Sequence, residues 1–165
     1  MKRDAVDDIL EQWSEERPEL DTASLGVVIR VMSLYRAFVR QASEALEPLG
    51  LELFEYDVLS ALRRQGRPYT LSASRLANAT GLSGGAMTNR VDRLEQRGFV
   101  RRRPDKNDRR GVGVSLTASG RRTIDKAIQL RLEAADESLR SINLKERKEL
   151  AGLLRKVRLA GEEQQ

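Results

Sequence analysis

The apolar residues of this chain recur mostly at helical spacing, and the longest such stretch begins near residue 22. Apolar side chains there return every three or four positions, which is typical of an amphipathic α-helix. They are Leu25, Val28, Ile29, Met32, Tyr35, Val39, Ala42 and Leu46. Asp21 is a candidate N-cap, and Pro48 and Gly50 predict the end of the helix. A helix of about 25 residues spans about 38 Å; we expect it to need a partner.

Shorter helical segments flank the long one. The first 16 residues predict an acidic helix that Pro18 ends, with Val6, Ile9, Leu10 and Trp13 on one side. "LFEYDVLSALRRQG" predicts another helix, ending near Gly66 and Pro68. Ser72 then caps "ASRLANAT", which closes at Gly81, and Ser83 caps a helix that runs to about Arg97. Two short helices joined by a glycine turn indicate a helix-turn-helix, although plain helical hairpins share this pattern.

The helix after Ser83 has two distinct faces. Met87, Val91 and Leu94 stack on one side. The residues that point away are Gly85, Asn89, Asp92, Arg93 and Gln96. Gly84 and Gly85 would weaken the first turn of an ordinary helix. The two glycines instead indicate that another molecule approaches this turn closely, since helix N-termini bind phosphates.

After this helix, the spacing of the apolar residues changes from helical to the alternation of β-strands on either side of a cationic segment. "GFVRRR" and "GVGVSLT" predict short strands on either side of "PDKNDRR", whose Pro, Asp and Asn are turn residues. The whole predicts a β-hairpin with a basic tip beside a candidate recognition helix. Such a winged helix would probe phosphates and the minor groove, while its apolar positions anchor it to the core.

Two further helices complete the predicted architecture. Thr117 caps one that carries apolar residues in register, and Asn143 with Glu146 forms a capping box for the last. The apolar positions are Ile124, Ile128, Leu132, Ala135 and Leu139 in the first, and Leu150, Leu153, Leu154 and Val157 in the second. We predict a mainly α fold with a small β-hairpin. Its regions are an acidic helix (1–21), a dimerisation layer (22–50 and 118–165) and a winged helix-turn-helix (51–117).

Composition narrows the function. The 165 residues include no Cys and no His, which excludes thiolate nucleophiles, the usual zinc ligand sets and the commonest general base. We therefore expect no enzyme, no cofactor and no metal. No apolar run approaches the about 20 residues of a membrane helix, and we expect a cytoplasmic protein without a membrane partner.

The charge of the chain is unevenly distributed. Residues 1–21 carry eight acidic and three basic side chains, whereas residues 97–110 carry seven basic and two acidic ones. The net charge is only +5. The basic residues are thus concentrated in residues 97–110, where they could bind a polyanion.

Residues 71–121, "LSASRLANATGLSGGAMTNRVDRLEQRGFVRRRPDKNDRRGVGVSLTASGR", resemble the MarR family of bacterial transcriptional regulators. "MTNRVDRLEQRGFV" followed by "DRR" and "LTASG" is specific, and the order of helices extends the likeness over nearly the whole chain. The resemblance implies a homodimer whose two winged-helix lobes straddle a pseudo-palindromic operator in double-stranded DNA. Half-sites would lie about 34–36 Å apart.

The resemblance also assigns residues in the DNA-binding lobe. In "DRR", Arg109 would enter the minor groove while Asp108 and Arg110 brace the wing by ion pairing. We expect base reading by the exposed turns of the recognition helix, because arginine and asparagine match base edges best. The candidates are Ser83, Gly85, Thr88, Asn89 and Arg93.

The N-terminal "EQWSEERPELD", with "YDVL" and "TNR", resembles the urate-responsive branch of the family. That branch implies an effector site of Trp13, Asp57, Arg90 and Arg102, although Arg101 and Arg103 flank Arg102 and a one-residue shift would reassign its role. Arg90 borders the apolar stripe of its helix, so its guanidinium can bind an anionic purine, on which an indole can stack. The anion would repel Asp57, move the recognition helix and release the DNA.

Other interpretations remain. Trp13 could anchor the core and Asp57 could pair with Arg90. Within the family, phenolic or aromatic carboxylates are the alternative effectors to urate and related purines. Outside it, the chain could be a ligand-independent architectural DNA-binding protein or a helical module that binds an acidic partner.

Overall fold

The computed structural model describes residues 2–81, 83–104 and 112–162. The helices and strands, in chain order, are α1 (Ala5–Glu16), α2 (Ala23–Leu46), a short 3-10 helix (Glu47–Leu49), α3 (Leu53–Arg64), β1 (Thr70–Ser72), α4 (Ala73–Thr80), α5 (Gly84–Gln96), β2 (Val100–Pro104), β3 (Val112–Leu116), α6 (Ala118–Ser138) and α7 (Leu144–Glu162). The chain divides into two units, residues 1–41 and 42–165. The predicted mainly helical fold with a small β component is confirmed.

The first unit holds α1 against the beginning of α2. Arg30 of α2 donates to Asp4 at 2.9 Å and to Asp7 at 2.6 Å, and these two acids also form the capping box of α1. The helices approach closely at Gly26, where an added Cβ would lie 2.7 Å from Leu10 Cδ1. Asp21 accepts from Ala23 N at 2.9 Å, so it supports the start of α2 from one residue before the capping position.

The second unit is built around the paired helices α4 and α5. Ser72 and Ser83 cap them as predicted, and Gly81 ends α4 with a φ of +67°, in the left-handed region that glycine adopts without strain. Their apolar faces meet α3 and α6 in one core. Its fully buried members include Leu59, Leu62, Leu76, Met87, Leu94 and Ile124.

The sheet has three antiparallel strands in the order β1-β3-β2, one more than the predicted hairpin. Val114 in the central strand faces Leu71 of β1 and Arg102 of β2. Val100, Val114 and Leu116 are buried and hold the sheet against the helices, as the apolar alternation predicts. The additional strand β1 has only three residues, too few to produce a recognisable alternation.

The start of α6 is locked to the first residues of the wing. Thr117 caps α6 by accepting from Gly120 N at 3.0 Å, and its hydroxyl donates to the carbonyl of Gly98 at 2.7 Å. A Cβ at Gly120 would lie only 2.0 Å from the Phe99 carbonyl oxygen. Glycine is therefore required here for a close approach of two backbones.

Two long helices expose apolar surface. In the first unit, α2 exposes Val27, Val28, Val31, Met32, Leu34 and Tyr35. In the second unit, α7 has no buried residue and exposes Leu144, Leu153, Leu154, Val157 and Leu159. Asn143 and Glu146 form the predicted capping box of α7. None of the described helices is long and apolar enough to cross a membrane.

Replacing Gly120 with alanine should destabilise the protein by at least about 2 kcal/mol, because the new methyl group overlaps the Phe99 carbonyl and the backbone must move. Gly152→Ala is the matched control, since a Cβ there meets nothing within 4 Å and lies on the face of α7 opposite its apolar stripe. That variant should gain about 0.5–1 kcal/mol. Denaturant unfolding measures the stability of both variants. Equal changes in the free energy of unfolding would refute the close approach of the two backbones at Gly120.

Candidate nucleic-acid interface

Helix α5 presents one apolar face to the core and one polar face to solvent. Met87, Val91 and Leu94 are buried, as their spacing predicts. Ser83, Gly85, Thr88, Asn89 and Arg93 are all exposed. Gly84 and Gly85 have open space where a Cβ would stand. The first turn of α5 is therefore free for a close approach from outside.

The polar groups of this first turn differ in their hydrogen bonds. Ser83 Oγ accepts from Ala86 N at 3.4 Å, and Thr88 Oγ1 donates to the Gly84 carbonyl at 3.0 Å. Asn89 makes no side-chain hydrogen bond within the described part of the chain. Its amide can therefore offer both a donor and an acceptor to a ligand, whereas the two hydroxyls already serve the helix.

The acidic N-terminus of α3 holds the second half of α5. Arg93 Nη2 lies 2.6 Å from Glu52 Oε1, and Arg97 Nη1 donates to Oε2 of the fully buried Glu55. Arg97 also donates to the Gly50 carbonyl at 2.9 Å. Glu55 accepts from Glu52 N at 3.0 Å, which completes a capping box. Arg93, a predicted base-reading residue, is therefore also part of the support between α3 and α5.

Phe54 of α3 adds a stacking platform to this support. The guanidiniums of Arg90 and Arg93 lie 4.6 Å and 5.0 Å from the centre of its ring. Such contacts favour cations over aromatic faces. Phe54 thus keeps both side chains beside the N-terminus of α3.

Arg102 ties the first strand of the wing to α5. Its guanidinium pairs with Asp92 at 2.5 Å and with Glu95 at 2.6 Å, and its backbone N donates to Glu95 at 2.8 Å. That backbone bond, followed by the side-chain bond, holds the pKa of Glu95 below its usual value. The sequence predicts that Arg102 binds an effector; in this structure its guanidinium pairs with the two acids of α5 and also donates to the Thr88 carbonyl at 3.5 Å.

The wing tip carries three predicted residues that lie outside the described residues: Asp108, Arg109 and Arg110. The strands that lead to this segment are described up to Pro104 and again from Val112. On β2, Arg101 and Arg103 are exposed. Cationic side chains thus extend along the wing strand toward the tip.

Of the other predicted effector residues, the structure brings Asp57 and Arg90 into one electrostatic environment. Burial by the surrounding protein disfavours the charged carboxylate and so raises the pKa of Asp57. The positive charges nearby act in the opposite direction and lower this pKa; from the strongest effect to the weakest, they are those of Arg131, Arg90 and Arg64. Asp57 lines a cavity of about 320 Å³ between α3 and α4. Trp13 lies in the first unit with 45% of its surface exposed.

Sequence reasoning missed the partners that position these side chains. The sequence does not identify these partners, because each interacts with a residue of an element that is far away in the sequence. They are Glu52, Phe54, Glu55 and Arg131. The only local signal was the spacing of Glu52 and Glu55, which fits a capping box at the start of α3.

Comparisons with known proteins agree on one family. The MarR family model matches residues 49–111. The chain is 34% identical over 152 residues, 92% of both chains, to the HTH-type transcriptional regulator PecS of Dickeya dadantii. A mutant of Escherichia coli MarR complexed with operator DNA matches with a TM-score of 0.71 and 29% identity, over 88% of this chain and 96% of that one.

A third similar protein is regulated by a small molecule. BpsR of Bordetella bronchiseptica, whose DNA binding is regulated by 6-hydroxynicotinic acid, matches with a TM-score of 0.68 and 26% identity. The match covers 81% of this chain and 98% of that one. Similarity therefore extends to a protein whose DNA binding is regulated by a small aromatic acid.

Replacing Arg97 with methionine should cost about 3 kcal/mol of unfolding free energy, because it leaves the buried Glu55 carboxylate without its cation. In a Glu55→Gln background the same substitution should cost far less. Arg140→Met is the control, since Arg140 and Glu137 form an exposed pair, and should change stability by less than about 0.5 kcal/mol. Equal costs of Arg97→Met in both backgrounds, measured by denaturant unfolding, would show that the pair contributes nothing.

Proposed function

This chain belongs to the MarR family of transcriptional regulators, and from that premise we propose that it is a homodimeric repressor released from its operator by a small aromatic anion. Members of the family are DNA-binding regulators and not enzymes. The observation that carries the proposal is the exposed, open first turn of α5 beside a strand of cationic side chains. As a DNA-binding protein, it would act in the cytoplasm.

We assign sequence reading to α5 and general DNA affinity to the wing. Asn89 has an uncommitted amide and Gly85 an unobstructed backbone, which suits direct contact with base edges. Ser83, Thr88 and Arg93 complete the reading face. Arg109 would enter the minor groove from the wing tip, with Asp108 and Arg110 bracing it. Arginines suit a narrow, negatively charged minor groove.

The exposed apolar surfaces support a homodimer. The apolar face of α2 and that of α7 are each too large to leave in water, since monomeric proteins rarely expose contiguous apolar patches of this kind. A helix such as α7, which buries none of its residues, gains its stability from packing. A second copy of the chain would cover these faces. It would also supply the second recognition helix that a pseudo-palindromic operator requires.

We propose that Trp13, Asp57, Arg90 and Arg102 form the effector site for urate or a related purine, with phenolic carboxylates as the alternative. The similarity to BpsR supports a small aromatic acid. The electrostatic coupling of Asp57 to Arg90 supports an anion that competes with the carboxylate. Arg102 would exchange its bonds to Asp92 and Glu95 for the ligand, loosening the wing from α5.

Asn89→Ala should alter base preference at one operator position by about 1–3 kcal/mol, whereas Arg109→Ala should weaken binding to all duplexes. The Arg109 variant should also make the slope of log K against the logarithm of the salt concentration less steep by about 0.9, since one phosphate contact is lost. Fluorescence anisotropy at several salt concentrations, on operator selected from random duplexes and on random DNA, measures both. Equal losses on both DNAs in both variants would refute this division of roles, and salt-independent binding would refute DNA as the partner.

Urate should quench the fluorescence of Trp13, the only tryptophan, and the quenching should disappear in Arg90→Ala because the anion loses its guanidinium. The titration includes xanthine, hypoxanthine and salicylate, and is paired with release of bound operator. Saturable quenching by salicylate alone would favour the phenolic carboxylates. If none of the four compounds quenches or releases DNA, an architectural DNA-binding protein becomes the better description.

A further inference from the structure

Two ion pairs join the N-terminus of α3 to the C-terminal part of α5, and they differ in burial. Glu55 is fully buried and pairs with Arg97. Glu52 and Arg93 pair at 2.6 Å, but 55% and 54% of their side chains are exposed. Exposed ion pairs contribute little to stability, because water already solvates both charges. The pair of Glu52 and Arg93 therefore adds little to the link between the two helices, and its place on the surface points to another role.

This exposed pair lies beside the face of α5 that we assign to base reading. Asn89 and Arg93 are four residues apart in the helix, so their side chains are neighbours on one face. Both are exposed, and the Asn89 amide has no partner within the described part of the chain. A ligand that contacts Asn89 therefore also comes near Arg93 and the carboxylate that Arg93 holds.

Two groups at the start of α3 fix the guanidinium of Arg93. Glu52 Oε1 accepts from Arg93 Nη2, and the centre of the Phe54 ring lies 5.0 Å from Arg93 Cζ. The carboxylate holds an edge of the guanidinium, and the ring attracts its positive charge. These contacts restrict a long side chain whose ordering would otherwise oppose binding. Because a guanidinium has five N–H donors, most of them stay available to a base edge.

The carboxylate of Glu52 also places a negative charge beside this reading face. Duplex DNA carries about one negative charge per 1.7 Å of helix axis, and like charges across an interface are unfavourable. The carboxylate repels every duplex alike, whereas an arginine fixed in one position gains affinity only where a base edge fits it. Repulsion of all sequences combined with attraction to one sequence increases specificity.

We propose that Glu52 is a specificity-determining residue for DNA, whose carboxylate holds Arg93 toward one base edge and repels duplexes that lack that base. The inference rests on the proposed reading role of α5 and adds an acidic residue from outside that helix. Phe54 is a positioning residue, since it acts only through the guanidinium of Arg93.

The test separates the charge of Glu52 from its reach. Glu52→Gln removes the charge and keeps the length of the side chain, whereas Glu52→Asp keeps the charge and shortens the side chain. Arg93→Gln, alone and combined with Glu52→Gln, completes a double-mutant cycle. Glu137→Gln is the matched control, because Glu137 forms an exposed pair with Arg140 at 2.6 Å near the end of α6. It removes the same charge away from α3 and α5.

Fluorescence anisotropy at one salt concentration measures the affinity of each variant for the operator that the wild type selects from random duplexes, and for random DNA. Denaturant unfolding checks that each variant is folded.

Glu52→Gln should tighten binding to random DNA by about threefold or more, because a repulsive charge is lost. It should also lower the ratio of operator affinity to random-DNA affinity by about tenfold. Glu52→Asp should lower this ratio while its affinity for random DNA stays within about twofold of the wild type, since the charge is kept. Glu137→Gln should leave the ratio unchanged. In the Arg93→Gln background, Glu52→Gln should change the ratio by less than about twofold.

Three results would overturn the inference. An unchanged ratio in Glu52→Gln, while Arg93→Gln still lowers it, would refute the role of Glu52 and leave the proposed reading role of α5 standing. Equal weakening of operator and random DNA in Glu52→Gln would show that the carboxylate only supports the fold. Equal affinity of the wild type for all duplexes would refute both the inference and the proposed reading role.

Discussion

The bond between Glu55 and Arg97 is the constraint on which the DNA-binding lobe depends. Glu55 is fully buried at the start of α3, and a carboxylate in such a place needs a cation and hydrogen-bond donors. Arg97 supplies the cation from the end of α5, and the backbone of Glu52 supplies a donor. Because the partners lie at the ends of two different helices, the ion pair links the N-terminus of α3 to the C-terminal end of the recognition helix.

Local signals predicted the elements, whereas the contacts between them could not be predicted. The serines before α4 and α5, the threonine before α6 and the asparagine before α7 act within a few residues of their targets, so their roles follow from spacing. Arg97 and Glu55 are 42 positions apart. Nothing in either segment identifies the other, since many acids and arginines of this chain could pair.

The same distinction applies to the candidate site. The exposed face of α5 follows from helical periodicity, and the chemistry of Asn89 follows from its side chain. The partners of Arg102 depend on how β2 packs against α5, which the sequence pattern did not specify. The unsatisfied Nε of Arg131 is a property of the folded core alone. Strand β1 was missed because its stability comes from pairing with β3 and not from its own three residues.

The support of α5 by α3 has a consequence for engineering. Exchange of recognition helices between regulators treats the helix as a cassette that carries its own specificity. Here Arg93 lies in α5 and Arg97 is its C-cap, but the acids that orient them lie at the N-terminus of α3. A transplanted α5 would arrive with two arginines and no counter-ions, so the transferable unit of specificity is the helix together with Glu52 and Glu55.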